Sequence, residues 1–215
     1  MCGRYYVSDE TAREIEKLVR QVNAKIIKER MEKGLSMEIN QPMDVFPAAK
    51  APVIISDREN EDDASLTMAE YTWGFPHFDK GKKVIFNARA ESVLDKRMFR
   101  ESTLKRRLIV PASGFYEWNS NKERFFFKSK DDKIMLFAGI YSGDRFVILT
   151  TDANDSVKDV HNRMPLILKP REIDDWIFDD KAVTDILRKT PQQLDKEMQE
   201  AAKRKDVPEG QMSFL

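Results

Sequence analysis

The residue best suited to covalent chemistry is Cys2, the single cysteine of the chain. A small residue in this position allows the initiator Met1 to be removed, and Cys2 then becomes the amino terminus. The α-amine and the thiol of such a terminus have reference pKa values of roughly 7.7–8.0 and 8.5, so both are partly deprotonated near neutral pH. The amine can form a Schiff base with an aldehyde, and the thiol can then close a thiazolidine ring. The alternatives are a thiol nucleophile that uses its own α-amine as base, or an inert residue at the chain end.

Three further segments place polar side chains in unusual surroundings. Asn87, Arg89 and Glu91 alternate along an extended segment, so they share one face of it. Glu117 lies among aromatic residues, where partial desolvation raises the pKa of a carboxyl toward the range that is useful for proton transfer. His161 stands just before an apolar strand, and histidine suits general acid–base chemistry. A capped helix start, a salt-bridged strand edge and a structural histidine are the respective alternatives.

Aromatic residues precede a strongly basic stretch of the chain. The segment 71–78 contains Trp73, His77 and Phe78, and the stretch 80–107 that follows it carries a local charge of +7. Single-stranded nucleic acid is bound by this combination, because bases stack on aromatic rings within a positively charged groove. Burial of the aromatic residues in a core, and a solvated helix face for the basic ones, are the alternatives.

Composition narrows the class of protein. The 215 residues include 37 Lys or Arg and 37 Asp or Glu, so the chain is not a general polycation. Because charges interact over only about 8–10 Å at physiological salt, a ligand responds to the local patch rather than to the sum. One cysteine excludes an internal disulfide and, with only two histidines, a zinc finger. No apolar run reaches the ~18 residues of a membrane span and no signal peptide is recognisable, so we expect a reduced, cytoplasmic protein.

Short β-type segments dominate the chain from residue 51 onward. Strands are predicted at 52–56, 66–73, 84–87, 108–111, 114–118, 125–128, 134–141, 146–150 and 164–168. Helices are predicted at 8–34, 92–104, 171–177 and 182–189, with a last one that starts at Thr190 as cap and Pro191 as first residue. Because strands follow one another without regular strand–helix alternation, the pattern predicts an α+β domain rich in antiparallel sheet. We expect one domain over 1–215, with 206–215 as a flexible tail.

Six blocks, taken in order, resemble the SRAP family, the SOS response-associated peptidase-like proteins that process abasic sites in single-stranded DNA. The blocks are MCGR at 1–4, VFP at 45–47, WG at 73–74, NARAE at 87–91, SGFYEW at 113–118 and HNRMP at 161–165. Each block alone is weakly specific. Their order, with a cysteine at position two, makes the resemblance specific over most of the chain.

The resemblance implies a barrel-like, mainly antiparallel sheet with peripheral helices, and an enzyme of the DNA damage response. It implies that Cys2 forms a thiazolidine with the aldehyde of a ring-opened abasic site. Asn87 would position the cysteine and the opened sugar. Glu117 and His161 would assist Schiff-base formation, strand cleavage by β-elimination and reversal of the crosslink.

The resemblance also implies a DNA-contacting set and a partner. That set is Gly3, Arg4, Pro47, Trp73, Phe78, Arg89, Arg97, Thr150 and Arg163. The expected partner is single-stranded DNA containing abasic sites, bound by a monomer with no membrane association, no metal and no organic cofactor. A cysteine peptidase or autopeptidase that uses Cys2, and a non-covalent single-stranded DNA binding module, are the alternative functions.

One departure from the family pattern concerns the aromatic wedge. Members of the family often place bulky aromatic residues after the Trp-Gly block to wedge against the strand. Here that place is held by His77 and Phe78, so the identity of the wedge stays open.

Overall fold

The computed structural model describes residues 2–8, 10–11, 13–15, 17–18, 43–57, 65–77, 83–131 and 134–199. The described residues between 10 and 18 are helical, which agrees with the predicted helix start after Ser8. The remainder of that predicted helix, Phe78 and the predicted tail 206–215 lie outside the described residues. Within the described residues, no helix is both long and apolar enough to cross a bilayer.

Strands make up most of the described structure. They are β1 (Tyr5–Val7), β2 (Met43–Val45), β3 (Lys50–Asp57), β4 (Ser65–Trp73), β5 (Phe75–Pro76), β6 (Val84–Ile85), β7 (Asn87–Arg89), β8 (Arg107–Ala112), β9 (Gly114–Trp118), β10 (Arg124–Ser129), β11 (Met135–Ser142), β12 (Arg145–Asp152), β13 (Arg163–Pro165), β14 (Ile167–Leu168) and β15 (Leu194–Gln199). The helices are α1 (Arg97–Lys105), α2 (Ile173–Phe178) and α3 (Val183–Arg188), with 3-10 turns at Ala90–Ser92 and Pro170–Glu172.

Five strands close on themselves as a barrel. The order is β12-β4-β3-β8-β11, and an additional pairing joins β11 back to β12. Most of these pairs are antiparallel, but β12 pairs in parallel with β4 and also with β7. The predicted α+β class, with a barrel-like and mainly antiparallel sheet, is confirmed. β13 and β7 flank β12, so the carboxyl-terminal half of β12 lies between two short strands that carry predicted site residues.

A second sheet carries the chain start. Its order is β15-β10-β9-β1-β2, all antiparallel in the described pairings. Tyr5 lies opposite Phe115, and the amide of Tyr116 donates to the carbonyl of Arg4 at 3.0 Å. The residues before β1 therefore run alongside β9 in the direction of Glu117.

Alternation along the barrel strands separates two hydrophobic cores. Leu108 and Phe137 point to a core that is shared with the second sheet and contains Cys2. Ile109 and Ala138 point to the other core, against the helices near the chain end. Cys2 is thus part of a packed interior.

The helix predicted from Thr190 is wrong, because this segment becomes strand β15. Residues of β15 pair with β10 over its whole length. The side chain of Asn154 donates to the carbonyls of Pro191 at 3.0 Å and Gln192 at 2.8 Å. In a helix the Pro191 carbonyl would accept from the amide four residues later, so tertiary contacts occupy the group that the first helical turn requires.

In the described part of the basic stretch, residues 83–107, two arginines make contacts within the chain. The Arg107 side chain is buried and donates to the carbonyls of Trp176 and Ile177 at the end of α2. Arg106 forms an ion pair with Glu101 at 2.9 Å. One positive charge of the stretch is therefore buried in the fold, and a second is paired at the surface.

Candidate active site

Cys2 is fully buried at the start of β1. Its thiol lies 3.7 Å from the carbonyl of Arg4, to which it donates. Burial, followed by the negative charge of Glu117, raises the pKa of the thiol far above its ordinary value. The thiol is therefore protonated at neutral pH in this environment.

Asn87 holds the backbone of Cys2. Its side-chain amide donates to the Cys2 carbonyl at 2.8 Å, and its own buried Oδ1 has no hydrogen-bond partner among the described residues. The position of Asn87 is set by its parallel pairing with Ile148. The indole of Trp73 fixes the preceding residue by donating to the carbonyl of Phe86 at 2.8 Å.

Glu117 lies in β9 and is 3% exposed. Burial raises the pKa of its carboxyl, and the nearby charge of His161 acts in the opposite direction. A buried carboxyl with a raised pKa can hold a proton near neutral pH and deliver it. The backbone of β9 comes close to β10 at Gly114, where an added Cβ would meet the ring of Phe126 at 2.2 Å.

His161 lies near the end of the loop between β12 and β13. Its Nδ1 lies 3.0 Å from the amide nitrogen of Arg163 and 3.2 Å from the carbonyl oxygen of the same residue. The backbone amide of His161 donates to the carbonyl of Val157 at 3.0 Å. Nδ1 can therefore accept or donate a hydrogen bond locally, and this contact with the backbone of Arg163 orients the imidazole ring.

The structure brings the four predicted catalytic residues into one neighbourhood. Asn87 contacts Cys2 directly, and the charge of Glu117 acts on the Cys2 thiol. His161 in turn acts on Glu117. The four residues come from the chain start, β7, β9 and the loop before β13, so only the closed sheet brings them together.

Arg4 is engaged by protein groups. It forms an ion pair with Asp44 and lies over the rings of Phe46 at 4.9 Å and Tyr116 at 4.7 Å. The neighbouring Gly3 and Pro47 are half-buried. Phe46 is 48% exposed, so this cluster reaches the surface.

Three other predicted DNA contacts are buried. Trp73 and Thr150 have no exposed surface, and Arg163 is 7% exposed. The Arg163 guanidinium binds Glu91, Asp152 and the carbonyl of Thr150. In this structure these three side chains therefore contact other protein groups and not the surface.

Arg89 and Arg97, in contrast, are exposed. Neither forms an ion pair with another residue that the structure describes. Arg97 borders a groove of about 630 Å³ together with Phe75, Met98 and Arg145. This surface combines free positive charge with apolar side chains. Phe78, the remaining predicted contact, lies outside the described residues.

Two residues near the site were not predicted as site residues. The hydroxyl of Tyr5 is buried with no hydrogen-bond partner among the described residues, and burial followed by the Cys2 charge raises its pKa. The alternation of β1 predicts that Tyr5 is buried, but it does not predict that the hydroxyl lies near the thiol. Glu91, which binds Arg163, belongs to the NARAE block but had no assigned role. The described part of the chain contains no cluster of three or more His, Cys, Asp or Glu side chains suited to a metal ion.

Comparison with known proteins finds relatives that share one descriptive name. Abasic site processing protein YoqW from Bacillus subtilis (strain 168) is 29% identical over 218 residues, which cover 94% of this chain and 91% of that protein. Abasic site processing protein YedK from Escherichia coli (strain K12) is 31% identical over 144 residues, 62% of this chain and 63% of that protein.

Solved structures share the fold. A protein from Bacteroides thetaiotaomicron matches with a TM-score of 0.66 and 24% identity, over 92% of this chain and 91% of that chain. A phage-related protein from Bordetella bronchiseptica matches with a TM-score of 0.70 and 20% identity, over 93% and 95%. The sequence profile of the SOS response associated peptidase (SRAP) family matches residues 1–208, and the chain therefore belongs to this family.

Proposed function

We propose that this protein processes abasic sites in single-stranded DNA by forming a covalent crosslink through Cys2. The observation that carries the proposal is the set of polar side chains gathered around the buried Cys2. Asn87 holds the Cys2 carbonyl, the charge of Glu117 raises the pKa of the Cys2 thiol, and the charge of His161 lowers the pKa of Glu117. Relatives that are named abasic site processing proteins support the same substrate.

The chemistry requires removal of Met1, which gives Cys2 a free α-amine. The amine attacks the aldehyde carbon of the ring-opened abasic sugar, and loss of water gives a Schiff base. The thiol sulfur then adds to the imine carbon while the thiol proton moves to the imine nitrogen. One C–N bond and one C–S bond form and one water leaves, so the thiazolidine needs no oxidant or reductant.

The environment of the thiol supports this order of steps. A protonated, buried thiol is a poor initial nucleophile, whereas it retains the proton that the imine nitrogen needs in the second step. The same property disfavours the cysteine peptidase alternative, which needs a thiolate at the start of its cycle.

Glu117 and His161 supply proton transfers in this proposal. Glu117, with its raised pKa, delivers a proton to the hydroxyl that leaves the carbinolamine. His161 removes a proton from C2′ of the Schiff base, which expels the 3′ phosphate by β-elimination and accounts for lyase activity. The exposed Arg89 and Arg97 hold phosphates on either side of the lesion.

The proposal is tested by measuring the intact mass of the protein with an abasic single strand. We expect a denaturation-resistant adduct whose mass is that of the Met1-free protein plus the strand, less one water. Cys2→Ala should give no adduct while it still binds the strand. A strand that carries a tetrahydrofuran in place of the abasic sugar has no aldehyde, so it should bind without an adduct.

Equal adduct from the wild type and Cys2→Ala would contradict the proposal. Equal affinity for intact and abasic strands, with no adduct from either, would instead support the non-covalent binding module.

A further inference from the structure

Arg163 joins β12, β13 and the turn after β7 at the candidate site. Its Nη1 donates to Glu91 Oε1 at 2.9 Å and to Asp152 Oδ1 at 2.6 Å. Its Nη2 donates to Glu91 Oε2 at 2.8 Å and to the carbonyl of Thr150 at 2.6 Å. The pair with Glu91 is bidentate, which fixes direction as well as distance.

These contacts connect the segments on the two sides of β12. Glu91 lies in the 3-10 turn that directly follows β7, the strand of Asn87. Asp152 and Thr150 belong to β12, and Arg163 begins β13. β7 and β13 have three residues each, so they form few backbone hydrogen bonds. These bonds alone constrain the positions of Asn87 and His161 only weakly.

The backbone of Arg163 also holds His161. Both its amide and its carbonyl lie within hydrogen-bonding distance of His161 Nδ1. A change in the position of Arg163 therefore changes the orientation of the imidazole. On the other side of β12, Asn87 holds the carbonyl of Cys2.

We propose that Glu91 is a positioning residue. Through Arg163, it fixes the orientation of the His161 ring relative to Asn87 and Cys2. This inference rests on the proposed function for its kinetic consequence, but its structural half does not depend on DNA. Because the Arg163 side chain is only 8% exposed, loss of the Glu91 carboxylate would leave a nearly buried guanidinium with one charged partner fewer.

The electrostatics of Glu91 agree with this role. Burial alone would raise the pKa of Glu91, and the hydrogen bonds and charge of Arg163 outweigh it, so that the pKa lies below its ordinary value. Glu91 is therefore ionised throughout the neutral range. Thr151 adds a hydrogen bond to Oε1 at 3.3 Å.

The kinetic test uses Glu91→Gln, which keeps the shape of the side chain and removes its charge. We expect the crosslinking rate at saturating strand to fall by about tenfold or more, since small misplacements of reacting groups have effects of this size. Affinity for the tetrahydrofuran strand should change by less than about twofold. Glu91→Asp keeps the charge and should recover part of the rate. Glu101→Gln, which removes a carboxylate from the exposed pair with Arg106, is the matched control and should leave the rate unchanged.

The structural test needs no DNA. The chain has two histidines, so the ring nitrogen resonances of His161 and His77 can be assigned by single substitution. In a Cys2→Ala background, Glu91→Gln should shift the His161 ring resonances and leave those of His77 in place. If the wild type formed no crosslink but these shifts appeared, the proposed function would fail while the positioning role stood.

A second variant tests the proposal in case Glu91→Gln does not fold. Asp152→Asn removes the other carboxylate on Arg163, one whose side chain is 84% exposed, so the fold should tolerate it. We expect a smaller effect of the same kind on rate and on the His161 resonances. Unchanged His161 resonances in folded Glu91→Gln and Asp152→Asn overturn the proposal. So does a loss of strand affinity with an unchanged rate, which would place Arg163 and Glu91 in DNA binding.

Discussion

At the scale of single residues, the candidate site combines a nucleophile with surroundings that keep it uncharged. Cys2 is buried among apolar side chains, and the nearby Glu117 carboxyl makes ionisation of the thiol still less favourable. This arrangement suits a reaction in which the amine acts first. Because the thiol stays protonated, it is also less reactive toward oxidants and electrophiles that react with thiolates.

Glu117→Gln separates the effect of the buried carboxyl on stability from its effect on the crosslinking rate. The folded state holds the Glu117 proton more tightly than the unfolded chain does, because burial raises its pKa. Its contribution to stability is therefore full below the unfolded pKa and is lost as pH rises through the folded pKa.

We expect Glu117→Gln to match the wild type near pH 4 and to be more stable at pH 8, by on the order of 1 kcal/mol. The crosslinking rate should fall by roughly 100-fold, since a proton donor is removed. Thermal unfolding between pH 4 and pH 9, with adduct formation measured in parallel, checks both parts. A variant less stable than the wild type at pH 8 would contradict the assignment of burial as the main cause.

At the scale of elements, short strands and helices are held by side chains that satisfy their ends. The last carbonyls of α2 accept from the buried Arg107, whose Nη2 also binds Asp180 at 2.7 Å. Since the final carbonyls of a helix have no partner within it, a buried arginine satisfies several of them at once.

Arg107→Leu should lower the free energy of unfolding by about 2–4 kcal/mol, because it leaves buried carbonyls without donors. The neighbouring Arg106→Leu is the control. Its pair with Glu101 is partly exposed and should contribute less than about 1 kcal/mol. Denaturant unfolding of both variants gives the comparison. Crosslinking by the folded fraction of Arg107→Leu should equal that of the wild type, and similar stabilities of the two variants would argue against the role of Arg107.

At the scale of the whole molecule, a net charge of zero does not describe the surface that DNA would meet. Of the basic stretch, Arg107 is buried and Arg106 is paired with Glu101, whereas Arg89 and Arg97 are exposed. Arg97 also borders the groove with Arg145 and Met98. Under the proposed function, this small number of exposed charges would carry the interaction with phosphates.

The salt dependence of binding measures this number. For a tetrahydrofuran strand, each of Arg89→Gln and Arg97→Gln should reduce the slope of log K against log salt by about 0.7, the value for one phosphate contact on a single strand. Lys128→Gln should leave the slope unchanged, since this lysine is already paired with Glu197. Fluorescence anisotropy across a salt series provides the slopes. Equal slopes for all three variants would place the DNA elsewhere on the surface.

The sequence alone determined the family, the α+β class and most strands, because each of these depends on local patterns. Alternating apolar residues indicate where the chain is extended, and β9 was predicted with the bounds that the structure has. The proposal that Cys2 reacts with an aldehyde also starts from the residue type and its position.

Only the tertiary structure decided which polar residues face one another and which are free. Thr190 and Pro191 carry a helix-start pattern, yet Asn154 captures the carbonyls there and β10 pairs with the segment that follows. Arg163 and Arg89 look equivalent as predicted phosphate ligands, yet one is enclosed by carboxylates and the other is exposed. The physical reason is the same in both cases: hydrogen bonds between residues far apart in the chain outweigh local preference, and sequence patterns do not report them.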